Sequence, residues 1–186
     1  MGPSPTALVA RPVPAPVLKE LRRVDDAGRP PVPFTDEEGG APLRCCLRRS
    51  RPGESIALVS YAPLRRWAAA TGAEPGAYDE QGPVFVHARE CAGPGDGAGR
   101  GEGAGRGEGA GLPFTGAHRT VRRYSAEGRI VGGRLVGAAE DLAAALAEAF
   151  AEPEVALVHV RAVEHGCFLY EVRREDLAAG ADGGRG

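Results

Sequence analysis

The chain holds four cysteines and four histidines, and their spacing is where chemistry is first sought. Cys45 and Cys46 are adjacent and sit between Arg44 and the Arg48-Arg49 pair. His87 precedes Cys91 by four residues, and His165 precedes Cys167 by two, across Gly166. One reading is a zinc site. Cys46, His87, Cys91 and Cys167 (or His165 in place of the last) supply four nitrogen and sulfur ligands if they meet at one sheet edge. No finger spacing supports it, since neither C-x-x-C nor H-x3-H occurs. The vicinal Cys45-Cys46 pair is a poor substitute for C-x-x-C because adjacent side chains diverge. A second reading makes Cys46 or Cys167 a nucleophile or acid–base group, its thiolate favoured by Arg44 or His165. A third leaves all four as inert buried thiols, which cores commonly contain.

Val158-His159-Val160-Arg161 alternates in the manner of a strand. His159 and Arg161 then share one face and the valines the other. Imidazole beside guanidinium makes an anion grip, with Arg161 as bidentate donor and His159 as proton carrier. The competing reading is a solvated sheet face with Arg161 paired to a carboxylate such as Glu164 or Glu171. Arg122-Arg123-Tyr124 is either a platform for a planar ligand, with Tyr124 as the aromatic, or an ordinary exposed strand end. No G-x-G-x-x-G, P-loop, H-E-x-x-H, G-x-S-x-G or zinc-deaminase pattern occurs.

The elements that must position these residues read as follows. Residues 1–16, with five prolines, form an extended tail. Val17–Val24 is a short helix by its apolar face, and Asp25–Pro42 is loop. Ser55–Tyr61 is a strand apolar on both faces. Residues 63–82 are a connection with one helical turn near Trp67–Ala70. Pro83–Ala88 is a strand with Phe85 and His87 on one face and Val84 and Val86 on the other. Thr120–Tyr124 and Arg129–Val136 form a hairpin. Ala138–Ala151 is the clearest helix, striped by Leu142, Leu146 and Phe150. Val155–Val163 and Cys167–Arg173 form a second hairpin. With no alternation of strand and helix, the expectation is an α+β domain over 17–177, built on a mainly antiparallel sheet with one clear helix in its C-terminal half. A Gly-Ala-Gly-Arg-Gly-Glu repeat makes 92–111 a disordered insertion, and 178–186 a flexible tail.

Composition narrows the classes further. Glycine and proline contribute 28 and 16 of 186 residues. Formal charge is −2, so no global basic field favours nucleic acid, and arginine alternates with glutamate in the repeat. No apolar run is long enough for a membrane span. Four cysteines are too few for a disulfide scaffold, and no signal peptide precedes them, so the thiols read as cytoplasmic.

Three segments together resemble a known bacterial family. They are Pro42-Leu43-Arg44-Cys45-Cys46-Leu47 with Pro52-Gly53-Glu54 and the strand to Tyr61; Gly82-Pro83-Val84-Phe85-Val86-His87; and His159-Val160-Arg161 with Gly166-Cys167-Phe168 and Arg173. The set is similar to the family called domain of unknown function 1203, across about residues 40–175. The resemblance implies a shared fold and points to Arg44, His159, Arg161 and Cys167, but carries no established activity. Leu43 stands where the family pattern has a cysteine, so a cysteine mechanism shared by the family would need Cys46 to take over.

The sequence thus favours an enzyme needing no cofactor, of lyase, isomerase or cyclase type. It would bind a small anionic or carbonyl-bearing metabolite through Arg44, Arg161, Tyr124 and His165. His159, His87, Cys167 and Cys46 are its candidate catalytic groups. The alternatives are a non-catalytic protein with a structural zinc cluster, and an interaction module.

Overall fold

The computed structural model describes residues 8–94 and 111–176. Most of the insertion read over 92–111 lies outside them, as do residues 1–7 and the tail 178–186. Two antiparallel sheets carry the chain. The first has the order β1-β2-β3, from Phe34–Asp36, Glu54–Tyr61 and Gly82–His87. The second has the order β5-β4-β6-β7, from Arg119–Tyr124 (β4), Ile130–Val136 (β5), Leu157–Ala162 (β6) and Phe168–Arg173 (β7). The protein is therefore α+β and mainly antiparallel, and both expected hairpins form.

Helices pack against the sheets. α1 spans Ala15–Leu21 and buries Leu18 and Leu21. α2 spans Pro63–Thr71, where sequence predicts a single turn. Pro63 sits in its first turn, where a missing N–H costs nothing, and Gly72 ends it in the left-handed conformation (φ 77°). α3 spans Leu142–Ala151 and begins four residues later than expected. Asp141 caps it, its carboxylate accepting from the backbone N–H groups of Ala143 and Ala144 at 2.9 and 3.2 Å.

The second sheet is covered on both faces. Val121, Val158, Val160 and Val172 pack with Leu146, Ala149 and Phe150 of α3. The opposite face meets α2, through Leu64 and Trp67 against Tyr124 and Leu157, and the first sheet, through Tyr61 against Phe168. The first sheet is buried on one face and, at Ile56, in part on the other. Val59, Val84 and Val86 are buried, whereas Leu58 is half exposed, which corrects the expectation of a strand buried on both faces. From Leu8 to Pro14 the proline-rich segment is non-helical and lies on the domain, while Ala15 and Pro16, expected in the extended tail, open α1. Arg11 N donates to Glu171 O, Val13 N donates to Arg44 O, and the Val13 side chain is buried.

Candidate metal centre

The loop after β1 is pinned before it reaches the cysteines. Arg44 N donates to Phe85 O of β3 at 2.9 Å. The Arg44 guanidinium is buried and donates to Phe168 O at 2.7 Å and to Pro42 O, which ties the loop to β7 as well. Burial lowers its pKa to about 10. Leu43 N donates to Arg48 O and Leu47 N to Leu43 O, closing a tight turn around Cys45 and Cys46. Leu47 adopts a left-handed conformation there (φ 57°), uncommon for a residue with a branched side chain.

This turn overrides the divergence expected of neighbouring side chains. The two Sγ atoms lie 3.9 Å apart on the same side. Anchoring at Phe85 places them beside His87, two residues further along β3. His87 Nδ1 is 3.3 Å from Cys45 Sγ and 3.8 Å from Cys46 Sγ, and the His87 backbone N–H donates to Cys45 Sγ at 3.3 Å. Cys91, on the segment leaving β3, completes the group: the ligand atoms of Cys45, Cys46, His87 and Cys91 all lie within 4.8 Å of one another.

Those separations can be tested against a metal. Sulfurs held about 2.3 Å from zinc at tetrahedral angles are about 3.8 Å apart, and a sulfur and an imidazole nitrogen about 3.6 Å. The observed 3.9, 3.8 and 3.3 Å fit that polyhedron within a few tenths of an ångström. Three sulfurs and one imidazole suit zinc among the divalent ions of biology.

The surroundings favour thiolates. Cys46 is lowered to about 6, because the Cys45 S–H hydrogen-bonds to it, aided by the Arg48 backbone N–H and the charges of His87 and Arg48. Cys45 moves the other way, since a second negative sulfur beside the first is opposed by that sharing and by burial. The first proton leaves the pair easily, and a cation is needed to expel the second. Behind the imidazole, Arg48 Nη2 lies 3.1 Å from His87 Nε2 and Glu54 Oε2 lies 3.5 Å from it. The Glu54 carboxylate is held by both Arg48 Nη groups, at 2.9 and 2.6 Å, and is lowered to about 2 chiefly by that contact.

The other candidates stand elsewhere. Cys167 does not join the cluster; its Sγ is 3.6 Å from His165 O at the β6–β7 turn, where His165 is exposed. The ligand set drawn from sequence is therefore corrected at one position, with Cys45 in place of Cys167. His159 and Arg161 do share a face, but that face is turned inward. His159 is wholly buried between Tyr124 and Phe168, at ring-centroid distances of 4.7 and 5.1 Å, with Nε2 3.7 Å from Glu171 Oε2. Burial lowers its pKa, outweighing the Glu171 contact. Arg161 donates to Gly166 O at 2.6 Å and to Glu80 at 2.8 Å, a partner that sequence reading missed. Tyr124 is fully buried, which corrects the exposed strand end.

An α+β domain of two antiparallel sheets with a three-cysteine, one-histidine cluster at the rim of the smaller sheet is the class the fold and site define. The family model described as "Protein of unknown function (DUF1203)" matches residues 40–174, nearly three quarters of the chain, and the chain belongs to that family. The match contains Cys45, Cys46, His87 and Cys91. No curated protein and no solved structure matches the chain. Among the described residues, no helix is long and apolar enough to cross a membrane.

Proposed function

We propose that the protein binds one zinc ion through Cys45 Sγ, Cys46 Sγ, Cys91 Sγ and His87 Nδ1, and that the ion is structural. The observation that carries this is the convergence of four ligand atoms from two separate segments within 4.8 Å, three of them, on Cys45, Cys46 and His87, at separations close to tetrahedral edges. Four protein ligands close the coordination sphere, so the ion would have no open position for a substrate. Its work is mechanical: it fastens the Leu43–Arg48 turn to the end of β3 and to the chain beyond it. Three thiolates and one divalent ion leave a net negative charge, which Arg48 offsets. Metal binding at Nδ1 would put the proton on Nε2, where Glu54 Oε2 stands 3.5 Å away as the carboxylate to accept it once the Arg48 Nη2 donor, now 3.1 Å from Nε2, turns aside. Cys46 and His87 are thereby employed in the centre and are not free for the acid–base work expected of them. Lyase, isomerase or cyclase chemistry gains no support from the fold, the site or the family.

Protein purified under reducing conditions should contain about one equivalent of zinc. Cobalt exchanged for it should give the visible absorption of a tetrahedral thiolate site. Chelation should lower the melting temperature by several degrees, and His87→Ala and Cys46→Ser should abolish the cobalt spectrum. Protein that takes up neither metal at micromolar concentration, and melts identically with and without chelator, would overturn the proposal.

A further inference from the structure

On the face of the second sheet turned toward α2, two arginines converge on one carboxylate. Arg122 of β4 lies opposite His159 of β6, and Arg161 lies opposite Thr120, so the two guanidinium groups are diagonal neighbours. Arg122 Nη1 donates to both oxygens of Glu80 at 2.7 and 2.6 Å, and Arg161 Nη2 donates to one of them at 2.8 Å. Glu80 belongs to neither sheet; it comes from the loop between a short 3-10 turn at Gly76–Tyr78 and β3.

We propose that Arg122, Arg161 and Tyr124 form an anion-binding site for a doubly charged phosphate or carboxylate ligand, and that the Glu80 carboxylate is its resident occupant. Several observations point beyond a simple ion pair. Two guanidinium charges face a single carboxylate charge, which leaves the group one positive charge in excess. Buried donors beside it are unused. Tyr124 is fully buried with its hydroxyl unpartnered, and the Nε of Arg161 is also buried and unpartnered. The charged groups acting on that hydroxyl are Arg161, Arg122 and Glu80. A buried hydroxyl with no partner is costly, and an anion carrying more acceptor oxygens than Glu80 would satisfy it. The ligand side is open, because the Glu80 side chain is 38 % exposed while Arg161 behind it is 12 % exposed. Glu80 lies outside the strands, in a loop whose Asp79 and Gln81 side chains are held by Arg65 at 2.9 and 3.2 Å, so another occupant needs only the Glu80 side chain to turn outward. His159 beneath, with both ring nitrogens unpartnered, completes the polar floor. The proposal is independent of the metal centre, since no residue is shared.

The test removes the resident carboxylate. Inorganic phosphate and succinate are titrated calorimetrically into zinc-loaded parent, Glu80→Ala and Glu80→Gln. Relief from competition by charge-assisted hydrogen bonds should tighten binding of one probe about ten- to hundredfold in both variants. A gain for phosphate alone assigns a phosphoryl ligand, and a gain for succinate alone a dicarboxylate. Adding Arg122→Ala to Glu80→Ala should erase the gain. Folded variants that bind both probes no better than the parent would overturn the site, making Glu80 a staple between loop and sheet. Variants that both fail to fold would lead to that same conclusion.

Discussion

His159 offers a measurement whose sign and size follow from its surroundings. The imidazole is wholly buried, both ring nitrogens lack hydrogen bonds, and the nearest carboxylate oxygen, on Glu171, is 3.7 Å away. The charged groups facing it are Glu171 from β7, Arg161 from its own strand and Glu80 from the loop. Burial holds its pKa below the ordinary 6.5, so the folded chain keeps it neutral. In the unfolded chain it takes a proton below pH 6.5. Unfolding then binds a proton, and stability falls as pH falls. Each pH unit below 6.5 removes up to about 1.4 kcal/mol until the folded pKa is reached. Between pH 7 and pH 5.5 the loss from this one group is at most about 1.3 kcal/mol.

His159→Phe removes the titration and keeps a ring between Tyr124 and Phe168. Taking unpaired nitrogens out of the core returns about 1–3 kcal/mol, and fitting a slightly larger ring costs a similar amount, so stability near pH 7 should change little. The diagnostic is the slope. Urea unfolding at pH 7.0, 6.5, 6.0 and 5.5, parent against variant, should show the variant losing less stability over the range, by up to about 1.3 kcal/mol. Any loss of zinc in acid enters both proteins and cancels in the comparison. Glu171 titrates together with His159. Burial raises its carboxyl while the contacts to His159 and Arg173 hold it below the ordinary 4.5, so in His159→Phe only Arg173 holds it down, and a Glu171→Gln control in both backgrounds isolates the imidazole. In the parent the Glu171 contribution is present above 4.5 and lost only in stronger acid. Parallel pH profiles for the two proteins would refute the buried neutral imidazole.

Two further outcomes follow from local geometry. Glu54→Gln leaves all four ligands in place but weakens the acceptor behind His87, so zinc affinity should fall about ten- to hundredfold with stoichiometry unchanged, read by competition with a chromogenic chelator. Asp141→Ala removes the cap from α3 and should cost about 1 kcal/mol in urea unfolding, with Asp141→Asn recovering most of it.

Strand parity was the most legible part of this chain. Val84 and Val86 point inward and His87 does not, as two-residue alternation requires, and His159 and Arg161 do share a face. Alternation reports which residues travel together but not what covers them. The polar face of β6 reads as a solvent-lined pocket in one dimension. In three dimensions α2 and the first sheet close over it, and the imidazole ends between two aromatic rings. The helix that does much of this covering had its signals in plain view, Pro63 at the start and Gly72 at the stop. A connection read by its breakers alone passes over both.

The Cys/His cluster divides along the same line. Three of its members, Cys46, His87 and Cys91, are recoverable because cysteine and histidine are scarce and the last two stand only four residues apart, at and just beyond the end of β3. The fourth depends on a backbone conformation with no sequence signature. A turn that gathers adjacent cysteines would ordinarily announce itself with glycine at the left-handed position, and here that position is Leu47. The Leu47 side chain is buried with Phe114, Val121 and other residues of the second core. Burial of that leucine is what makes the unfavourable φ tolerable, so tertiary packing, not local preference, sets the direction of Cys45. Cys167, chosen in its place for standing near His165, is carried to the far turn of the β6–β7 hairpin. What fixes the ligand set is the anchoring of Arg44 to Phe85 and Phe168, a contact between segments separated by up to 124 residues. Spacing along the chain cannot express such a contact.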